Sequence, residues 1–264
     1  IMIVYGATAN VSIGKLFAGG VLPGLLIVSF LMATVAILSA KRGYPRGDAF
    51  SIRGALMALK KAALVIFTPV LIIGGIFSGA FTPTEAGVIA VAYVMLLGFF
   101  YRTLTLVDLY REMVGAGTAV GALLLVVSVS GLDGWVFARE QLPVWLSGQV
   151  TSITTDPTTV LILVLLLVLL LGMFMDATPI ILMVVPAVTP LLKTTGLDPI
   201  HVGVLFCMLC VIGLITPPVG VALYGVAMVS RLPIERVFWA SLPFFVALAL
   251  AISILVAVPQ IVTF

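Results

Sequence analysis

The sequence predicts an all-α polytopic membrane protein in which one transmembrane helix is broken and another segment folds as a re-entrant helical hairpin. Three observations carry this expectation. Of 264 residues, 62% are hydrophobic and only 9% are charged, against roughly 25% charge in a soluble globular domain. Thr216-Pro217-Pro218-Val219-Gly220 interrupts the apolar run from Val202 to Val229, and two adjacent prolines remove two backbone donors where lipid offers none in exchange. Between Thr159 and Lys193, two apolar arms flank Gly172-Met173-Phe174-Met175-Asp176-Ala177-Thr178-Pro179. Each arm has about 12–14 residues, too few to cross a core ~30 Å thick.

The elements follow in order. Apolar stretches near 1–13, 16–40, 62–76, 84–101, 113–131, 160–192, 200–230 and 237–258 predict six or seven crossings plus the hairpin. Lys41, Arg42, Arg46, Arg53, Lys60 and Lys61 form the densest basic block, which places residues 41–61 in the cytoplasm. Within it Ile52, Leu56, Leu59 and Ala63 recur at helical spacing, which reads either as an amphipathic helix on the membrane surface or as a basic flank anchoring the next span. Thr82 and Glu85 stand at capping-box spacing with Pro83 between them, so a helix starts here and runs to Tyr101. The 113–131 stretch leads out to a loop from Asp133 to Asp156. A hairpin over 160–193 that enters from outside and turns at Asp176 leaves ten of the thirteen basic residues inside, and the alternative, one tilted crossing with a polar kink, leaves nine. Thr178 is expected to cap the return arm, with Pro179 in its first position. Tyr5-Gly6 followed by Leu22-Pro23 recurs as Tyr224-Gly225 followed by Leu242-Pro243. Alternation places these copies on opposite sides of the membrane, the inverted repeat of many transporters.

The chemistry expected of these breaks is ion and solute binding. Each break ends a half-helix in unpaired carbonyls at the negative end of the dipole, while the half-helix that follows presents its positive end. With the Thr178 and Thr216 hydroxyls, such carbonyls offer hard oxygen ligands to an alkali cation. The expected cation ligands are Gly172, Met175, Asp176, Ala177 and Thr178 in the hairpin turn and Gly213, Thr216 and Pro217 in the broken helix. Substrate contacts are expected from Thr178, Pro179, Pro218, Val219 and Gly220. A carboxylate in a membrane helix costs about 2.5–3.5 kcal/mol on insertion scales. Asp176 is therefore a functional candidate, its plain alternative being a helix cap. Cys207 and Cys210 lie in one apolar helix with no second cysteine pair, which reads as buried small residues rather than a metal or redox site. His201 is the only histidine, so an intramembrane hydrolase lacks its base and a metal its ligands. No continuous polar stripe suggests a channel pore.

Three stretches carry a resemblance. They are Gly74-Gly75-Ile76-Phe77 through Phe81-Thr82-Pro83-Thr84-Glu85-Ala86, Gly172-Met173-Phe174-Met175-Asp176 with Gly196-Leu197-Asp198-Pro199-Ile200-His201, and Ile212-Gly213-Leu214-Ile215-Thr216-Pro217-Pro218-Val219-Gly220. Together they resemble the large membrane subunit, DctM-like, of tripartite ATP-independent periplasmic (TRAP) transporters. The resemblance implies an elevator-type fold with inverted repeats in a bacterial or archaeal inner membrane. It also implies sodium-coupled uptake of organic acids such as C4-dicarboxylates or sialic acid, with no other cofactor and no enzymatic step. The implied partners are a small four-helix membrane subunit and a periplasmic substrate-binding protein, with no nucleic acid. The chain then corresponds to a C-terminal portion, about 60% of the subunit: residues 1–40 close the first repeat, 41–61 form the cytoplasmic loop and surface helix, and 62–264 form the second repeat. Many members carry Asn where Cys210 stands, so a side-chain amide contact is missing here. A stand-alone sodium/dicarboxylate or citrate carrier is the alternative, and a non-transport scaffold a remote one.

Overall fold

The computed structural model describes residues 1–44, 51–141, 156–217 and 220–263, with isolated positions between 142 and 155. All regular structure among them is helical. The chain divides into two compact units, Ile1–Arg42 with Leu125–Phe264, and Gly43–Leu124.

The first unit holds α1 (Met2–Ala9), α2 (Ile13–Arg42), α6 (Pro157–Gly172), α7 (Ala177–Thr194), α8 (Pro199–Leu214), α9 (Val221–Ser230) and α10 (Ile234–Ala257). Its core is built around α8, where every residue from His201 to Cys207 is buried, the pattern of a helix that is apolar all round. Val160, Leu161, Val164, Leu165 and Val168 of α6 and Ile180, Ile181, Val184, Val185, Val188 and Leu191 of α7 bury one stripe each against it. From the start of the chain, Tyr5 and Leu16 close the far side, and Tyr5 meets Phe206 at 5.3 Å between ring centroids. Gly203 makes that packing possible: a Cβ there would lie 2.5 Å from the Tyr5 ring and 2.7 Å from Leu16. The outward faces of α2 (Leu25, Val28, Met32) and α10 (Val246, Leu250) stay exposed and apolar, as lipid-facing helices do.

The second unit holds α3 (Ile52–Phe77), α4 (Pro83–Phe100) and the first half of α5 (Leu106–Arg139). Helices α3 and α4 pair antiparallel, with Phe67 edge-on to Tyr93 and the Tyr93 hydroxyl donating to Leu64 O at 2.8 Å. A Cβ on Gly75 would overlap the Phe81 ring, so this glycine lets the chain fold back. The Thr82 N–H donates to Glu85 Oε2 at 2.7 Å and the Glu85 N–H to Thr82 Oγ1 at 3.3 Å, the reciprocal cap expected from the sequence.

Several expectations need correction. Of the two readings of Ile52–Lys61, the separate surface helix fails and the basic flank matches: the segment is continuous with the 62–76 span, because no breaker separates Lys61 from Ala62. Asp133 is not in a loop, since α5 runs on to Arg139. The hairpin arms have 16 and 18 residues, longer than the apolar runs alone, because Asp156 and Pro157 start α6 before its leucines begin, and the 18 residues of α7 are enough to cross, so the expectation that both arms are too short fails for the return arm. Among the described residues, five helices are long and apolar enough to cross a membrane: α2, α3, α4, α7 and α10.

A candidate ion site where four helix ends converge

The hairpin turn and the helix break meet. Helix α6 ends at Gly172 and α8 at Leu214, and the backbones touch: a Cβ built on Gly213 would lie 2.6 Å from Gly172 Cα, and one on Gly172 would lie 3.0 Å from Gly213 Cα. Across the contact the Gly220 N–H donates to Met173 O at 3.2 Å. Gly220 sits in the left-handed region, φ 54°, and caps α9, where a β-carbon would be strained. The C-terminal ends of α6 and α8 and the N-terminal ends of α7 and α9 are thus gathered at one place. Two negative and two positive dipole ends face each other there.

Within the break, Pro217 and Pro218 deprive the carbonyls of Gly213 and Leu214 of their helical donors. The Gly213 carbonyl is recovered by the Thr216 N–H at 2.9 Å. Meanwhile the Thr216 hydroxyl donates to Ile212 O at 2.7 Å, which spends its only proton and leaves both lone pairs of Oγ1 free to accept or ligate. Pro217 is half-buried beside it. Pro218 and Val219 lie outside the described residues.

In the hairpin turn, Leu171 O accepts from the N–H groups of both Phe174 and Met175 at 3.0 Å, winding the chain tightly past Gly172. Asp176, not Thr178, is the N-cap residue of α7, and Pro179 is its third residue rather than its first. The Asp176 side chain makes no capping bond; of the two amides an N-cap side chain reaches, the one at the third position is removed by Pro179. Asp176 is exposed at the tip, Ala177 is buried, and Met175, Thr178 and Pro179 are half-buried. All the described candidate residues of both breaks therefore lie in the two segments that touch. The Met173 carbonyl, which carries the link to Gly220, was absent from the sequence-derived set. Its signal was available, because it follows the glycine that ends the apolar arm.

A groove of about 860 Å³ runs beside this junction between α6, α8 and α10, from Thr158 to Pro217. Leu166, Leu169, Phe245 and Ile252 form most of its walls, with the hydroxyl side chains Thr158, Thr216 and Ser253 among them. Cys207 and Cys210 are buried free thiols, and no group of three metal-ligating side chains exists among the described residues.

Comparison with known proteins gives the family. The family model for the DctM component of tripartite ATP-independent periplasmic transporters matches residues 1–261. The chain belongs to the DctM family. Among its relatives, the sialic acid TRAP transporter large permease protein SiaM of Vibrio cholerae is 39% identical over 98% of this chain and 61% of its own length. The sialic acid TRAP transporter permease protein SiaT of Haemophilus influenzae is 38% identical over 100% of this chain and 43% of its own length. The C4-dicarboxylate TRAP transporter large permease protein DctM of Pseudomonas aeruginosa is 34% identical over 99% of this chain and 61% of its own length. The chain thus spans well under two thirds of each. The DctM family is one of transport proteins, not enzymes. With bacterial relatives and several membrane-length helices, the chain is part of a multi-pass inner-membrane protein.

Proposed function

We propose that this DctM-family chain is part of the large permease of a sodium-driven, binding-protein-dependent importer of organic acids. The observation that carries the reading is the junction of the hairpin turn with the helix break, held by the Gly172–Gly213 approach and the Gly220–Met173 hydrogen bond. Lipid tolerates such backbone only where it is packed in protein or lines a cavity, and paired half-helices that meet at depth are how secondary transporters bind ions and substrates. Sodium sits among the carbonyls at the ends of α6 and α8 with Oγ1 of Thr216 and of Thr178. The substrate carboxylate meets the N-terminal ends of α7 and α9, at Thr178, Pro179 and Gly220. Asp176, free of a capping bond, shapes the tip. Relatives named for sialic acid, C4-dicarboxylates and 2,3-diketo-L-gulonate support a carboxylate-bearing substrate, and a relative named for isethionate, a sulfonate, widens the class to small organic anions. A small membrane subunit completes the complex, and a relative named DctMQ is consistent with its being fused in some members. A periplasmic protein delivers the substrate, and an elevator-type movement of the body carrying hairpin and broken helix moves it across.

Reconstitution of the complete permease in vesicles tests this, with an imposed sodium gradient, a panel of sugar acids and dicarboxylates, and the binding protein added or withheld. Uptake is expected only with gradient and binding protein together. Equal uptake without the binding protein would instead identify a stand-alone carrier.

A further inference from the structure

Helix α4 presents Val91, Val94, Met95 and Gly98 along one stripe, and α5 presents Leu109, Glu112, Met113 and Ala116 along another. Both stripes follow the i, i+3, i+4, i+7 spacing of a face made for packing. They do not pack on each other. Leu104 folds onto Gly98, where a Cβ would lie 2.9 Å away, and from this hinge the two helices diverge around a cavity of about 430 Å³. Val91, Val94 and Met113 stay more than half exposed.

The mouth of this wedge carries a concentrated charge. The antiparallel pairing of α3 with α4, fixed by the Tyr93–Leu64 hydrogen bond and the Gly75–Phe81 contact, brings Arg53, Lys60 and Lys61 to the same end as Arg102. Arg102 immediately precedes Thr103 and Leu104 of the cavity wall, and Arg111 follows in α5. None of these five forms an ion pair among the described residues. Among the described residues, the acidic groups at this end are Asp108, whose Oδ2 is taken up by the Thr105 hydroxyl and N–H, and Glu112 on the cavity wall. Phe100, Tyr101 and Tyr110 are exposed around the mouth, where aromatic side chains mark the lipid headgroup level. Helix α3 has 26 residues and so about 39 Å of length. It exceeds a ~30 Å core by roughly two turns, which puts its basic residues among the headgroups.

We propose that the α4–α5 wedge seats an acyl chain of an anionic phospholipid of the cytoplasmic leaflet, with its phosphate held by Arg102 and the neighbouring basic residues. The cavity supplies an apolar slot beginning at the headgroup level. The five cations outnumber the two carboxylates, and each basic residue near an anionic surface favours it by ~5-fold.

The test uses the complete purified permease in nanodiscs of phosphatidylglycerol and phosphatidylcholine in equal amounts with matched chains, followed by native mass spectrometry of the lipid that stays bound. The wild type is expected to retain phosphatidylglycerol over phosphatidylcholine. Arg102→Gln combined with Lys60→Gln and Lys61→Gln is expected to reduce that preference by roughly 5-fold per charge removed. Ala116→Phe, which fills the slot, is expected to lose the bound lipid altogether, and Glu112→Gln to raise phosphatidylglycerol retention. Equal retention of both lipids by the wild type would overturn the proposal, as would retention unaffected by Ala116→Phe. So would a cross-link from a cysteine at Met113 to a protein subunit in place of lipid.

Discussion

Two glycines fix the distance between the hairpin turn and the helix break. With a Cβ at Gly213 only 2.6 Å from Gly172 Cα, Gly213→Ala must push one backbone away from the other, and overpacking of this kind costs about 1–3 kcal/mol. The expected outcome is a folded protein of normal abundance whose sodium-driven uptake falls at least tenfold; uptake at the wild-type rate would mean that the contact is incidental. At the mouth of the hairpin, Asp156 accepts from the Thr159 hydroxyl at 2.7 Å and from its N–H at 2.8 Å, and these bonds hold its carboxyl below the usual carboxylate range. A folded-state pKa below the unfolded one stabilises the fold above ~3.9 and is lost as the pH falls through the folded value. Asp156→Ala should therefore melt below the wild type at pH 7, and the difference should close in acid. A difference that widens in acid would contradict the assignment. Gly172 and Gly213 were readable in the sequence because glycine and proline chemistry acts over three or four positions, whereas the Asp156 cap was read as the end of a loop. Thr178 was misplaced as the cap because a proline in the third helical position leaves the N-cap side chain without its usual partner, so the hydroxyl was no guide to the boundary.

Among the elements, α8 is held at its start by an interaction that local patterns do not contain. His201, 2% exposed, donates from Nε2 to Leu255 O in the last turn of α10 at 2.9 Å. The residue that would have bonded this carbonyl within the helix is Pro259, which has no N–H, and the histidine fills the vacancy. Proline four residues after a buried leucine was the signal, but nothing in a sequence says which of the distant donors answers it. His201→Leu should lower stability by about 1–3 kcal/mol through the orphaned carbonyl, measured as a fall in thermal unfolding temperature. His201→Gln, which keeps a donor, should recover part of it; equal losses in the two variants would refute the assignment. The hairpin itself predicts that cysteines at Thr158 and Lys193, in a background lacking Cys207 and Cys210, react with an impermeant reagent from the same side of the membrane. Labelling from opposite sides would show that 157–194 crosses.

For the molecule as a whole, the membrane class and both breaks were legible, whereas the division into units was not. Residues 1–42 pack with 125–264 through pairs such as Tyr5–Phe206 and Leu16–Gly203. In a protein whose outward faces are as apolar as its core, hydrophobicity does not mark which face of a helix finds a partner. The arms of the hairpin were underestimated for a related reason, since the apolar run is shorter than the helix that its caps define. At this scale the convergence of four helix ends is what couples sodium to uptake, and Thr216 is its most specific participant, because its hydroxyl proton is engaged with Ile212 O and both lone pairs of Oγ1 stay free to ligate. Losing one oxygen ligand to an ion is worth about 1.5–3 kcal/mol, or roughly 10- to 100-fold in affinity. The direct measurement is the sodium titration of uptake by the reconstituted permease with wild-type Thr216, Thr216→Ser and Thr216→Val. The account predicts that the serine variant titrates near the wild type, while the valine variant needs about 10- to 100-fold more sodium for half-maximal uptake. An identical sodium titration for the valine variant would contradict it.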